Sequence, residues 1–390
     1  MAATIRPSEC SGKAPVLYVA LELSDKQWKL AFTVGVGQRP RLRGIAARAM
    51  TAFAREVAEA KRRFGLPAET PVLSCYEAGR DGFWIHRWLS AQGIRNSVVD
   101  SSSIEVPRRK RRAKTDRLDA EKLVALLLRA TAGERHVWRV VQVPTADVED
   151  ARHWTRELDA WKSEQKRLMN RLRGLLITQG VAGSIRRNFA TQLDLLRQAD
   201  NGAPLGERLR ARLTREWEHL EFVRQQMRSL QRKHETYLQQ AQGDRSADVI
   251  RHLMRLAGIA ETGASVLSLE MFGWRHFTNR REVGGFLGLT GTPYDSGERR
   301  CEQGISKAGN ARLRALFIQL AWVWLRCQPT SALSQWYQRR FAASPHARRI
   351  GIVALARRLA IALWRYVEWG DVPEGAVLKP AVHVAGPVNA

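Results

Sequence analysis

Two stretches of this chain place their seam residues at alternating steps of four and three, a rhythm that few folds can absorb. Trp154, Leu158, Trp161, Gln165, Leu168, Leu172 and Leu175 keep it first, and Leu213, Glu216, Leu220, Val223, Met227, Leu230, His234 and Tyr237 keep it again. Such spacing is the a/d seam of a coiled coil, where one stripe of a helix meets a partner stripe. Between the two series, Gly180, Gly183 and the stretch "ADNGAPLGE" break the helix. Helices joined in this way fold back as an antiparallel hairpin or pair with another subunit. The expectation is a coiled-coil arm over 146–243 that spaces the parts on either side and mediates oligomerisation. His234 falls in the seam and reads as a packing or register residue rather than a ligand.

Before the arm the periodicity is different. "APVLYVALELSDKQWKLAFTVG" reads as strand, polar turn and strand. A helix over 48–64, the strand "PVLSCYE", a helix through "GFWIHRWLSAQ", the strand "RNSVVD" and a helix over 116–129 follow. Strands alternating with helices predict an α/β sheet layered with helices over 14–145. After the arm, 244–370 reads as mostly helical. It opens on "LMRLAGIAETGASVLSLEM", which is similar to a helix-hairpin-helix, where backbone N–H groups at a helix start can meet a phosphate. The aromatic-rich "FIQLAWVWLR" and "RRLAIALWRYVEW" have the helical spacing of a packed core, and residues 371–390 have the composition of a disordered tail.

Charge narrows the function. Lys and Arg number 64 against 38 Asp and Glu, a formal net charge of +26, which calls for a polyanionic partner. A membrane surface is the competing polyanion. However, no apolar run approaches the roughly 18 residues of a spanning helix, the best attempt being Ala315 to Leu325. No lipidation or secretory signal is evident. The expectation is therefore a nucleic-acid partner and a cytoplasmic, nucleoid-associated protein. Cys10, Cys75, Cys301 and Cys327 are scattered and no histidine pair has metal spacing, so a bound metal would have hard oxygen ligands, which suit magnesium or manganese.

The basic tract Arg108, Arg109, Lys110, Arg111, Arg112 and Lys114 runs directly into Asp116 and Asp119. A segment that only docked phosphate would have no use for those acids. They share a helix face, since residues three apart are neighbours there. Glu22 lies near the end of the first strand and Glu77 at the end of another. Taken singly, each acid equally suits a solvated strand end, a turn or a helix start that complements the helix dipole. Taken together, four acids from separate elements are the equipment of two-metal phosphoryl chemistry.

The run "YVALELS", "CYEAGRDGFWIHRWL", "KTDRLDAEKLVALL" and then "LAGIAETGASVLSLEMFGWRHFTNRREVGGFLGLTGTPYDSGERRCEQGISKAGNARLRALF" resembles the DEDD transposases of the insertion-sequence one-ten family over about 16–330. "GLTGTPYDSGERRCEQGISKAGNARLR" is the most specific block. The resemblance implies a RuvC-like (RNase H-type) N-terminal domain and a C-terminal domain with a nucleophilic serine. It further implies a DNA recombinase that excises and inserts its own element, guided by a bridge RNA. By position, Glu22, Glu77, Asp116 and Asp119 would hold two Mg²⁺ or Mn²⁺ ions, and Ser296 would attack DNA, with Ser306 as the fallback. Arg299, Arg300, Lys307, Arg312 and Arg314 flank the serine as candidate phosphate contacts, and Asn310 is the expected cap of the next helix. Donor and target DNA, a structured guide RNA and further copies of the chain, as a dimer or tetramer, are the expected partners. The family places aspartate where this chain has Glu22, which makes activity less secure than fold. Two alternatives stand beside this reading: a RuvC-type junction nuclease using water, and a catalytically impaired nucleic-acid binder derived from a transposase.

Overall fold

The computed structural model describes residues 14–104, 116–134, 137–181, 185, 188–200, 202–296 and 299–379, with backbone alone for 102, 293–296 and 299–303. The chain divides into two units, Met1–Val143 and Pro144–Ala390.

The first unit is a mixed sheet with helices on both faces. Strands β1 (Leu17–Glu22), β2 (Gln27–Thr33) and β3 (Arg41–Ala46) form an antiparallel meander. Helix α1 (Met50–Arg63), strand β4 (Val72–Glu77), helix α2 (Trp84–Ala91), strand β5 (Arg95–Val99) and helix α3 (Asp116–Thr131) follow. The sheet order is β3-β2-β1-β4-β5, and β4 and β5 run parallel to β1. This order is compatible with the RNase H-type domain that the resemblance implies.

Successive side chains of a strand point to opposite faces, and the two faces here differ in bulk. Leu17, Val19, Leu21, Val72 and Tyr76 pack with Phe53, Val57, Ile85 and Leu89 of α1 and α2. The opposite face presents Ala20, Ala31 and Cys75 to Ala120, Leu123, Val124 and Leu127 of α3. Those small residues let α3 lie close, and the Cys75 thiol donates to the Leu123 carbonyl at 3.7 Å. Burial pushes that thiol well above its ordinary pKa, so it is a protonated packing group. Strand β3 was not legible as a strand. "RLRGIA" carries arginines where apolar residues are expected, and Arg41 and Arg43 both donate to the buried Glu56 of α1 at 3.0 Å.

In the second unit, α4 (Ala146–Ile177) and α6 (Glu207–Gln240) pack along their lengths, with the short α5 (Phe189–Gln192) between them. Trp154 donates to Leu230 O, the Trp161 and Phe222 rings meet, and Arg171 pairs with Glu216. Residue numbers rise on one helix as they fall on the other, so the helices are antiparallel. The buried stripe drifts from the expected seam: Leu176, Trp217 and Leu238 are buried where Leu175, Glu216 and Tyr237 were expected. A straight helix of 3.6 residues per turn rotates away from a strict 3.5-residue repeat by about 20° per heptad, which is enough to pass burial to the next residue.

The rest of the unit comprises α7 (Arg245–Met254), α8 (Glu261–Leu267), α9 (Arg280–Phe286), β6 (Gly291–Ser296), β7 (Arg299–Ile305), α10 (Ala311–Cys327), α11 (Ala332–Phe341) and α12 (Pro345–Trp369). Phe317, Trp324, Leu359, Leu363 and Trp364 lie in its core, while Trp322 and Trp369 face solvent. Residues 371–379, which composition assigned to a disordered tail, are held against the second unit. The Gln328 amide clamps both N–H and C=O of Val377, Lys379 N donates to Arg255 O, and Leu378 packs on the core. Backbone hydrogen bonding to a buried glutamine orders a segment whose composition alone reads as loose. Residues 380–390 lie outside the described residues. Among the described residues no helix is long and apolar enough to cross a membrane.

Candidate active site

The parallel pairing of β1 and β4 settles a relation that was not legible in the sequence. Leu17 is opposite Val72 and Leu21 opposite Tyr76, a constant offset that carries Glu22 opposite Glu77. Glu22 shares its face with Ala20, and Glu77 shares its face with Cys75, so by alternation both carboxylates project on the side covered by α3. Neighbouring strands lie about 4.8 Å apart, close enough for two side chains in register to reach one ion. Asp116 and Asp119 occupy the first turn of α3, where unpaired backbone N–H groups favour negative charge. Asp116 is exposed; Asp119 is half-buried and directly precedes Ala120, the first buried residue of the helix.

The donor chemistry of this set, four carboxylates, fits a hard divalent cation such as magnesium or manganese. Geometry is more selective. Among the described residues no three His, Cys, Asp or Glu side chains stand together as a metal-holding group. The fold thus sets two acids side by side at the strand ends, and the helix pair does not complete a metal-holding group with them among the described residues. The basic tract Arg108, Arg109, Lys110, Arg111, Arg112 and Lys114, immediately upstream of that pair, lies outside the described residues.

Ser296 is the last residue of β6 and pairs across the ladder with Arg299, the first of β7; Arg300 is opposite Asp295. The serine therefore stands at the tip of a two-stranded hairpin whose connecting residues, Gly297 and Glu298, lie outside the described residues. The base of the hairpin is tightly held. Ser306 N donates to Thr290 O at 2.8 Å, Thr290 Oγ1 donates to Ser306 Oγ at 3.3 Å, and Lys307 N donates to Gly288 O at 3.1 Å. Gly288 (φ +64°) and Gly309 (φ +99°) let two loops cross there; a Cβ on Gly288 would lie 2.0 Å from Ala308 O, and one on Gly309 2.3 Å from Phe286 O. The first glycine of "GLTG" and the glycine of "SKAGN" are thus explained by close backbone approach. Ser306 is part of this closure, while Ser296 lies at the other end of the hairpin.

The expected phosphate contacts divide. Lys307 is exposed, with a left-handed backbone of φ +55°. Arg314 is turned inward, donating to Leu287 O and Lys307 O at 3.1 Å, so it braces the hairpin base. Arg312 does not offer a free guanidinium: it pairs with Asp159 at 2.7 Å and with Glu270 at 2.7 Å. Phosphate binding by Arg312 would require breaking these pairs, because its charge is met by acids distant in sequence. Asn310 caps α10 as expected, accepting from Leu313 N at 3.1 Å.

Glu270 had been passed over inside the apolar run "VLSLEM". It lies where α8 widens into a single π-turn, Ser268–Phe272, and its side chain is 1% exposed. Arg152 and Arg156 of α4 and Arg312 of α10 all close on it, within 3.0 Å. Burial pushes the carboxyl up, but hydrogen bonds and charge from Arg156 and Arg152 outweigh this, leaving it below the usual carboxylate range. A lone acid in an apolar helix, with arginines on the preceding long helix, was the available signal. The seam residue His234 has the packing role expected of it. It stacks on Trp154 at 3.4 Å, its Nε2 meets Ser265 Oγ at 2.9 Å, and burial lowers its pKa to about 4.

Comparisons with known proteins identify relatives of the chain. A family model described as "Transposase IS116/IS110/IS902 family" matches residues 250–337, which include the serine hairpin. A "Putative transposase y4rJ" of Sinorhizobium fredii is 41% identical over 378 residues, covering 93% of this chain and 94% of that relative. The "Transposase for insertion sequence element IS1328" of Yersinia enterocolitica is 25% identical, covering 66% of this chain and 73% of its own length. A "Probable family 20 transposase" of Pseudomonas aeruginosa is 28% identical, over 64% and 72% respectively.

Proposed function

From the premise that this chain belongs to the IS116/IS110/IS902 family of transposases, we propose that it moves an insertion-sequence element by cutting and rejoining DNA, with strand-end carboxylates supporting cleavage and Ser296 holding the cut strand. The observation that carries the reading is the in-register placement of Glu22 and Glu77 on the face that α3, with Asp116 and Asp119, covers. Ser296 Oγ attacks the DNA phosphorus, and the proton it loses balances the one taken up by the departing sugar oxygen. A serine–phosphate bond forms, the P–O bond to the departing sugar breaks, and a free hydroxyl end leaves. Attack by a new strand's hydroxyl on the phosphoserine reverses these changes and frees the serine.

A serine hydroxyl is a weak nucleophile until activated. Glu22, Glu77, Asp116 and Asp119 are the residues that would hold magnesium or manganese, which would supply Lewis-acid stabilisation of the negative charge that develops on phosphate oxygens during cleavage. The net charge of +26 suits a protein that handles donor DNA, target DNA and a structured guide RNA in a dimer or tetramer. A glutamate at position 22 reaches farther than an aspartate would, which alters the fit to small ions more than it alters the fold.

Trapping of a covalent protein–DNA adduct on DNA carrying the element's ends tests the proposal. The adduct is expected in the unmodified protein and in Ser306→Ala, and is lost in Ser296→Ala and Glu77→Gln. Strand hydrolysis that survives Ser296→Ala unchanged would overturn it in favour of a junction nuclease using water. Unchanged behaviour of both Glu22→Ala and Asp119→Ala, with Mn²⁺ included, would overturn it in favour of a binder that does not cut.

A further inference from the structure

Beside the Glu22 and Glu77 strand ends stand four charged residues with no role in the reaction described above. Asp25 follows Glu22 in the β1–β2 turn, Arg80 and Asp81 follow Glu77 in the loop after β4, and Arg48 lies between β3 and α1. They alternate in charge. Arg48 and Arg80 each place an Nη2 3.4 Å from the same oxygen, Asp25 Oδ1, and each also lies 3.6 Å from the Asp81 carboxylate.

We propose that Arg48 and Arg80 form a cradle for one backbone phosphate of DNA, held in place by Asp81 and closed in the free protein by Asp25. The proposal rests on the transposase reading above and adds residues that would position its substrate. Asp25 Oδ1 stands where an anionic phosphate oxygen would, between two guanidiniums. Separations of 3.4 to 3.6 Å are longer than the 2.7–2.9 Å of a strong charge-assisted hydrogen bond, so the closure is loose. The two acids differ in how readily they let go. Asp25 is 65% exposed and can swing into water, whereas Asp81 is 9% exposed and cannot shed its arginines without leaving a buried charge unpaired. When Asp25 leaves, a net charge of about +1 remains at a strand-end edge where DNA must approach the carboxylates.

The backbone supports a built site. Arg48 has φ +64°, a left-handed conformation unusual for a residue with a side chain, and such strain persists where surrounding structure over-determines it. Here Ala47 N donates to Lys26 O and Met50 N to Arg48 O. The loop bearing Arg80 and Asp81 is tied down by Tyr76 Oη, which donates to Gly82 O at 3.0 Å, and by Ala78 N, which donates to Val99 O at 2.7 Å. Both arginines therefore project from fixed backbone.

The test is a double-mutant cycle on the full chain, reading the affinity of a fluorescent 30-base-pair duplex across a salt series. Asp25→Asn should tighten binding roughly threefold to fivefold, and Arg48→Gln with Arg80→Gln should flatten the salt slope by about 0.9, the loss of one phosphate contact. In the double-arginine background Asp25→Asn should have no effect. Glu69→Gln, an exposed acid ahead of β4 at the opposite end of the strand from Glu77, controls for the change in net charge. An Asp25→Asn effect no larger than that of Glu69→Gln, or one that persists without the arginines, overturns the cradle. The transposase reading is judged separately, by loss of the covalent adduct in Ser296→Ala. Adduct chemistry that behaves as expected while the cycle shows no coupling sinks the cradle alone. Coupling in the cycle with strand cleavage indifferent to Ser296→Ala and Glu77→Gln sinks the reading and leaves a phosphate site.

Discussion

Glu270→Gln tests the strongest electrostatic claim made for the second unit. The carboxylate is 1% exposed and serves three guanidiniums, so removing its charge leaves positive groups facing one another. The three are not equally harmed. Arg156 is 51% exposed and can turn to water, and Arg312 keeps Asp159. Arg152, at 13% exposure, has neither recourse. Breaking a buried pair by removing one partner costs about 3–5 kcal/mol, and with two of the three cations relieved the lower end applies, about 3 kcal/mol. For a unit of this size that corresponds to roughly 6–12 °C in Tm. The pH dependence has a definite sign. The folded carboxyl lies below its ordinary value, so its stabilisation is complete above the unfolded pKa of about 4.5 and is lost as pH falls through the folded value. Urea unfolding followed by circular dichroism at pH 7.5 should show the full deficit of the variant, and the gap should close in acid. A deficit under about 1 kcal/mol at pH 7.5, or a gap that stays constant below pH 4, would refute the claim that Glu270 is an ionised hub.

The remaining predictions concern the hairpin, the seam and the acid edge. Gly309→Ala, at φ +99° with a Cβ 2.3 Å from Phe286 O, should cost at least about 2 kcal/mol in thermal unfolding and should lower covalent-adduct yield by displacing the hairpin. His234 is neutral when folded, its pKa lowered to about 4 from 6.5, so its stabilisation is present above 6.5 and is lost as pH falls from 6.5 towards 4. That amounts to about 3 kcal/mol, offset in part by Glu261 at 3.9 Å once the ring is protonated; a stability–pH curve equally steep for His234→Phe would exclude it. Glu22→Asp should lower the ratio of Mn²⁺-supported to Mg²⁺-supported strand cleavage, because a shorter carboxylate relaxes the demand on the smaller ion; an unchanged ratio would separate Glu22 from ion binding.

What was legible in the sequence was what local periodicity encodes. The helix beginning at Asp116 and the strands ending at Glu22 and Glu77 all stand where residue spacing placed them, because each buries a face that its own pattern reveals. Strand β3 escaped for the converse reason: its arginines are satisfied by Glu56, thirteen or more residues away, and no window on β3 alone contains that partner. The same limit governed the candidate site. Asp116 and Asp119 are neighbours by helix geometry and could be paired on sight, but the pairing of Glu22 with Glu77 depends on parallel register across two intervening strands and a helix. Arg312 shows where a local reading of charge fails. It sits in a basic run and counts as a phosphate ligand until Asp159 and Glu270, 153 and 42 residues away, are brought against it. The gross count of 64 Lys and Arg residues therefore overstates what is free to meet nucleic acid, since some of them are paired with acids inside the fold. The arginines to test first for DNA are those whose partners are exposed and exchangeable, and Arg48 and Arg80, closed by Asp25, meet that condition where Arg312 does not.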